Sequence, residues 1–428
     1  MTRVLRIGVV GAIVAALALG VAAAPAAASP SARFGVQDDA WLLYAGGALP
    51  QRLDTLDRLG VRLVRFTLRW DEVAPTKPRN QLDPNDPAYR WGPFDGVIRG
   101  LHAHGIATLL TVWGAPRWAN GGHAANWLPT AGLGNFAYAA SKRYPWVHLW
   151  TVWNEPNTRV AAVPVSPKLY VTRLLNPTYA LLHRASRANV VAGGVTSPRS
   201  TASSMSPYAF MVGMHAARAH LDAYAQNPYP SSRFDTPFKE AGRATGTFTM
   251  AHLSTIRADV TRFFGSRTPL WLTEYGYQTN PPDRILGVSP ALQATYENEA
   301  AMKVWAQPGV TMLIHFIVRD DPELGGWQSG FLNAGGAAKP SFAAFAVPFA
   351  QQSRSGTRVV LWGQVRPGTG ARPYVIQRWT GRGWTNVGGV RQTGVGGTLR
   401  VTIAATRGTS LRLKPLQLTL TSRVLTVV

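Results

Sequence analysis

The chain has 428 residues, 46% of them hydrophobic and 15% charged, which is enough apolar material for a large core and excludes wholesale disorder. It has no cysteine, so disulfides, thiolate metal sites and a cysteine nucleophile are all excluded. Forty-four Lys and Arg against 21 Asp and Glu give a net charge of +23, which invites an anionic partner. Only seven residues are glutamates, so their positions are informative. The length suits one large domain plus a smaller one, because single cores stop growing at roughly 250–300 residues.

The N-terminus reads as a secretory signal over residues 1–28. Arg3 and Arg6 give a positive start, Ile7 to Ala24 is nearly all apolar, and Ala26-Ala27-Ala28 offers a small-residue cleavage site before Ser29. The competing reading is an uncleaved anchor, since about eighteen apolar residues are near the lower limit for a membrane span. The cleavage site favours removal, which leaves a secreted chain with no transmembrane anchor.

Beyond it, short apolar runs alternate with helical patterns. Strands are expected at Arg33–Gln37, Leu63–Thr67, Ile106–Val112, His148–Trp153, Val190–Val195, Ala223–Asn227, Pro269–Thr273 and Thr311–Val318. Ile106–Val112 is apolar on both faces, as parallel strands under helices require. Phe94, Val97, Ile98 and Leu101 fall at helical spacing before Gly105, and Leu253, Ile256, Val260 and Phe263 repeat the pattern before Gly265. The segments Pro290–Gln307 and Pro340–Ala350 read as the last two helices. Eight strand–helix units predict a (β/α)8 TIM barrel over residues 29–350. A doubly wound open sheet is the competitor, but no glycine-rich phosphate loop follows an early strand.

Residues 351–356, Gln-Gln-Ser-Arg-Ser-Gly, read as a polar linker. From residue 357 helical periodicity disappears, and strands are expected at Val359–Val365, Tyr374–Trp379, Leu399–Ala404, Leu411–Leu413 and Leu416–Leu420. These predict a small Ig-like β-sandwich over residues 357–428. That segment holds eleven Lys or Arg and no Asp or Glu, which reads either as a solvated basic face of an arginine-rich sequence or as a contact for an anionic glycan, lipid surface or cell-wall polymer. No recognised binding motif accompanies the charge, so a nucleic-acid partner is not expected.

Two segments carry the chemistry. His148-Leu-Trp-Thr-Val-Trp-Asn154-Glu155-Pro-Asn and Pro269-Leu-Trp-Leu-Thr-Glu274-Tyr-Gly-Tyr are apolar strands that end in a glutamate. They are the fourth and seventh strands, whose carboxyl ends face one another across the mouth of a barrel. Two convergent carboxyls, one protonated and one ionised, are what cleavage of a glycosidic bond needs.

Trp153-Asn154-Glu155-Pro156 and Thr273-Glu274-Tyr275-Gly276 resemble the fourth- and seventh-strand motifs of the retaining glycoside hydrolases of clan A, with family 39 and the cellulase-like family 5 the most similar. The resemblance spans roughly residues 33–350. It implies Glu155 as acid/base, Glu274 as nucleophile and Asn154 as a partner of the sugar 2-hydroxyl. Leu63-Val-Arg65-Phe is similar to the clan's strand-two arginine, and Arg65 beside Glu274 would favour its ionised form. Ala225-Gln-Asn227-Pro-Tyr229-Pro is similar to the sixth-strand His-Pro-Tyr-Pro of family 39, which implies that Tyr229 bonds the nucleophile. Asn227 departs from that pattern by standing where the histidine would be.

Trp113, Trp118, Trp127 and Trp327 lie on or after strand ends and Trp70 follows the second strand. Indoles at a barrel mouth give platforms for sugar rings, and Trp113, Trp118 and Trp327 are the chosen candidates. His123 fits a solvated loop. The nine histidines lack metal-ligand spacing, so neither metal nor cofactor is expected. The expected function is a secreted retaining glycosidase acting on a poly- or oligosaccharide, and the resemblance implies an equatorial, β-type bond; the alternative is a catalytically inactive carbohydrate-binding or adhesion protein on the same scaffold.

Overall fold

The computed structural model describes residues 29, 31–241 and 246–428, so the leader read from residues 1–28 lies outside the described residues. Eight parallel strands close a barrel in sequence order: β1 (Arg33–Gln37), β2 (Leu63–Arg69), β3 (Ala107–Trp113), β4 (Leu149–Val152), β5 (Val190–Thr196), β6 (Ala223–Gln226), β7 (Leu270–Tyr275) and β8 (Val310–Phe316). β1 pairs with β8 to complete the ring. Gly35 sits at that closure because a Cβ there would meet the Leu63 carbonyl oxygen at 2.5 Å.

Strand alternation sorts the barrel interior into levels. At the bottom, Leu63, Leu109, Ala192, Ala223, Trp271 and Met312 form an apolar plug. Two residues further along β2, β3 and β7 come Arg65, Thr111 and Thr273, joined by Thr151 of β4, all fully buried. Side chains between these levels point outward: Val64, Phe66, Leu110, Trp150 and Leu272 join the larger core under the helices. The apolar plug closes one end of the barrel, so the polar level is left to face the other.

The helical spacings are realised as Gly92–Ala103, which buries Phe94, Val97, Ile98 and Leu101, and Leu253–Phe264, which buries Leu253, Ile256 and Val260. Gly105 and Gly265 follow them with φ of 65° and 95°. The penultimate helix is Pro290–Ala306 and the last is Pro340–Ala346, four residues shorter than expected. Pro348 follows it, and its carbonyl oxygen accepts the Gln364 N–H at 3.0 Å, committing the chain to a strand.

That strand corrects the expected linker. Residues 349–355 form β9 (Phe349–Ser355), antiparallel to β10 (Arg358–Gln364), with a turn at residues 356–357. β9 reads as polar because it is a sheet edge whose last four residues are exposed. β11 (Pro373–Trp379), β12 (Trp384–Asn386), β13 (Arg391–Gln392), β14 (Thr398–Ala404), β15 (Ser410–Pro415) and β16 (Leu425–Thr426) complete two antiparallel sheets, β14-β10-β9 and β12-β11-β15-β16, with β13 also on β11. Phe349, Val359, Leu361, Tyr374, Ile376, Leu411 and Leu413 fill the space between them. Leu416–Leu420 is not a strand: after Pro415 the chain leaves the ladder, and Leu420 packs against the cores of both barrel and sandwich.

The sandwich is fastened to the barrel by buried groups. Trp362 packs on Ala301, Met302 and Ala350. The Arg366 guanidinium lies 4.1 Å from the Phe34 ring centre and 4.2 Å from that of Phe345, and donates to Gln364 Oε1 at 3.0 Å and the Phe345 carbonyl at 2.8 Å. Arg366→Ala removes this filling between two phenyl rings and orphans a buried carbonyl, with an expected loss of about 2–4 kcal/mol. Urea unfolding followed by tryptophan fluorescence checks it; an unchanged midpoint would contradict the role.

Candidate active site

The polar level opens into a cleft of about 720 Å³ at the carboxyl ends of the strands, a size suited to a small-molecule or oligosaccharide segment. Glu155, Glu274, Asn154, Tyr229, Trp113 and Trp327 line it.

Glu155 is delivered by a sharp turn after β4. Trp153 and Glu155 both have positive φ, 68° and 41°, a conformation that costs non-glycine residues of order 1–3 kcal/mol each. The turn is pinned to both neighbouring strands: the Trp153 N–H donates to the Val112 carbonyl at 2.9 Å, and the Glu155 N–H to that of Val195 at 3.0 Å. The buried Trp153 indole donates to the Ala161 carbonyl at 2.8 Å. Asn157 accepts from the Ser197 N–H at 2.8 Å and so ties the following loop to the end of β5.

Glu274 stands at the end of β7, where the register against β8 shifts between Leu272 and Tyr275. Its carboxylate forms an ion pair with Arg65 and accepts from the Tyr229 hydroxyl at 3.1 Å. Arg65 is wholly buried, and every donor group of its guanidinium is used. It reaches Thr111 Oγ1 at 2.8 Å, Gln37 Oε1 at 2.8 Å, the Thr273 carbonyl at 3.2 Å and Asn154 Oδ1 at 2.8 Å, besides Glu274. With its oxygen on Arg65, Asn154 has its amide N–H groups left for the cleft.

Asn227 donates to Glu155 Oε1 at 3.2 Å, and its own oxygen accepts from Thr273 Oγ1 at 2.8 Å, which fixes which way the amide faces. It is fully buried behind Glu155 and does not line the cleft, so it positions the carboxyl. An amide carries no titrating proton, so at pH values where a histidine would charge, Asn227 remains a neutral donor.

The two carboxyls differ in electrostatic setting. Burial first, and then the negative charge of Glu274, push Glu155 up to about 7, with partial opposition from the Asn227 bond and Arg65. Glu274 has the guanidinium in direct contact. Burial and the neighbouring Glu274 charge hold the Tyr229 phenol well above its usual value, so it stays a donor. One carboxyl is poised to hold a proton near neutrality while its neighbour is paired with a cation. That arrangement can deliver a proton on one side of a bound group and present an anion on the other.

The aromatic candidates separate. Trp327 is 38% exposed and forms one wall with Phe316 and Tyr229, at ring-centre distances of 5.2 and 5.1 Å. Trp113 lies under the Arg69 guanidinium at 4.7 Å. Trp118 is not at the cleft: its indole donates to the Ala74 carbonyl at 2.8 Å and packs edge-on against Trp70, itself a core residue. Trp127 and His123 stack on each other at 3.9 Å outside the cleft lining.

Gln37, Asp39, Tyr44, Arg69, Glu72 and Arg199 also line the cleft, although sequence reasoning singled out none of them. The signal was present for Gln37, which ends β1, and for Asp39, which follows β1 as Glu155 follows β4. Asp39 accepts from the Thr67 N–H at 2.9 Å and from Gln37 at 3.0 Å, and Glu72 pairs with Arg69 at 3.4 Å. Both rim carboxylates are thus engaged away from the floor of the cleft. Far from the cleft, Asp54, Asp57 and His104 offer ligand atoms within 4.8 Å of one another, but Asp57 already binds Arg62 at 2.7 Å and His104 at 2.6 Å.

No protein-family model matches the sequence, and no curated protein does. Solved structures do match the fold. A family 39 glycoside hydrolase from Bacteroides cellulosilyticus WH2 superposes with a TM-score of 0.59 at 16% identity, covering 91% of this chain and 82% of that one. A monomeric β-xylosidase from Caulobacter crescentus CB15 gives 0.57 at 15% identity, covering 91% and 97%. A family 39 enzyme from Xanthomonas axonopodis pv. citri gives 0.55 at 14% identity, covering 91% and 95%. The barrel with its all-β companion is therefore the architecture of family 39 glycoside hydrolases.

Glu274→Gln removes the negative neighbour while leaving Glu155 buried. The Glu155 carboxyl, followed by carbon-13 NMR, should titrate near 7 in the wild type and lower in the variant, though still above the ordinary 4.5. Identical titrations would contradict the charge coupling.

Proposed function

We propose that the protein is a retaining glycoside hydrolase that cleaves O-glycosidic bonds of a poly- or oligosaccharide. The observation that carries the proposal is the pair of carboxyls in one cleft, Glu155 raised to about 7 and Glu274 ion-paired with the buried Arg65. The shared architecture with family 39 enzymes supports the same reading, and the β-xylosidase among them supports a β-linkage as the bond cleaved.

In the proposed first step a Glu274 oxygen attacks the anomeric carbon as the bond to the departing oxygen breaks, and Glu155 gives that oxygen its proton. The product is a glycosyl ester on Glu274. Ionised Glu155 then takes a proton from water, the water oxygen attacks the same carbon, and the ester bond breaks to return Glu274 as carboxylate. Two inversions leave the configuration retained. Arg65 and Tyr229 hold and aim the nucleophile, and Asn154 is the group proposed to bond the sugar 2-hydroxyl. Trp113 and Trp327 are the proposed platforms for sugar rings.

Export belongs to the same proposal: residues 1–28 act as the leader, and the protein recovered outside the cell should begin at Ser29 on N-terminal sequencing. An intact Met1 on exported protein would contradict cleavage.

The test is reducing-end release from xylans, β-glucans, mannans, arabinogalactans and bacterial exopolysaccharides by wild type, Glu155→Gln and Glu274→Gln. Wild-type release that falls about 10²–10⁴-fold in the first variant and at least as far in the second supports the proposal. Because the first step needs Glu155 protonated, wild-type activity should decline as pH rises through about 7. Unchanged turnover in both variants would refute the assignment. Glycan binding without release by any of the three would favour the inactive, carbohydrate-binding alternative.

A further inference from the structure

Outside the cleft, the outer face of the second sandwich sheet combines two features of a glycan-binding surface. Tyr374 and Ile376 of β11 point into the sandwich core, so by alternation Val375, Gln377 and Trp379 lie on the opposite face, where Val375 and Gln377 are covered by their neighbours and Trp379 is exposed. Trp384 of β12 pairs directly with Trp379, and their rings lie 5.5 Å apart at 57°. Trp379 is 43% exposed, although tryptophan is a residue type that folding ordinarily covers. The same face carries a connected polar row across three strands. Arg412 of β15 donates to Gln377 Oε1 at 2.8 Å, Gln377 donates to Asn386 Oδ1 at 3.0 Å, and the Arg412 guanidinium lies 4.3 Å from the Trp384 ring centre.

The charge around this row is uncompensated. Residues 357–428 hold eleven Lys or Arg and no Asp or Glu, and among the described residues no salt bridge involves any of them. Only the Arg412 Nε is taken up by Gln377, and its terminal N–H groups have no carboxylate to meet. Lys414 alternates onto the same face, two residues along β15, and Arg382 lies exposed in the β11–β12 turn.

We infer that this face binds an acidic polysaccharide: Trp379 stacks on the C–H face of a sugar ring while Arg412 and Lys414 take the carboxylates of uronate residues. Charge selects the anion, and the indole selects a sugar over a bare polyanion. The inference rests on the glycan reading of the function but uses none of the residues of the cleft, so each can fail alone.

The test uses the full chain and measures affinity for polygalacturonate, for its fully methyl-esterified form and for duplex DNA. The expected result is binding to polygalacturonate at least tenfold tighter than to the ester, weakened roughly three- to tenfold by Trp379→Ala and by Arg412→Gln separately. Hydrolytic activity should match wild type in both variants, because neither residue touches the cleft, and thermal unfolding should match wild type in Trp379→Ala, because Trp379 is exposed. Unaltered affinity in Trp379→Ala, equal binding of the ester, or duplex DNA bound as tightly as polygalacturonate with the same Trp379 dependence would each overturn it. Trp379-dependent binding by a chain that hydrolyses no glycan would sink the proposed activity and leave this surface standing.

Discussion

A guanidinium without water around it dictates much of this barrel. Burying the Arg65 cation would be prohibitive unless its donors were met, and five residues from four parts of the barrel meet them: Gln37 of β1, Thr111 of β3, Asn154 after β4, and Thr273 with Glu274 of β7. Thr151 of β4 extends the row through a 2.6 Å contact with Thr111. The requirement works in both directions. The strands must close with β1, β2, β3, β4 and β7 in fixed register for the cation to be satisfied, and once satisfied it fixes the orientation of Asn154 and holds the Glu274 carboxylate in place.

The remainder of the site is arranged around that fixed centre. Apolar residues below the polar level keep water out of the barrel floor, so the electrostatic difference between the two glutamates is weakly screened. Glu155 reaches its place only through the left-handed turn at Trp153 and Glu155. The surrounding backbone bonds and the buried Trp153 indole offset the cost of that turn. Asn227 connects the two halves of the site, bonding Glu155 on one side and Thr273 on the other. A single strand-end residue thereby couples the position of the Glu155 carboxyl to β7, the strand that carries Glu274.

The barrel was legible from sequence because its strands are short apolar runs that stop abruptly at polar groups, and the same stops exposed Glu155 and Glu274. The partners Arg65 and Tyr229 were legible only through the resemblance, since nothing local in Leu63-Val-Arg65-Phe tells a buried arginine from a strand-end ion pair. Trp118 misled because the direction of a loop indole is set by a tertiary partner, here the Ala74 carbonyl. β9 was hidden for a related reason: Gln351 to Ser355 face solvent on a sheet edge, so hydrogen bonding to β10 holds the strand without an apolar pattern. Gln37 and Asp39 obey the strand-end rule that found the glutamates, but acids and amides near a chain's beginning carry no motif to draw the eye.

In the proposed mechanism Glu274 is the group to which the sugar becomes attached. The direct measurement is intact-protein and peptide mass spectrometry after incubation with 2-deoxy-2-fluoro-β-glycosides of xylose, glucose, galactose and mannose bearing a leaving group that needs no protonation. The account predicts a mass increase of one fluorosugar, localised to Glu274 within Leu270–Tyr275 and absent from Glu274→Gln. A label on Glu155, or one that persists in Glu274→Gln, would contradict it.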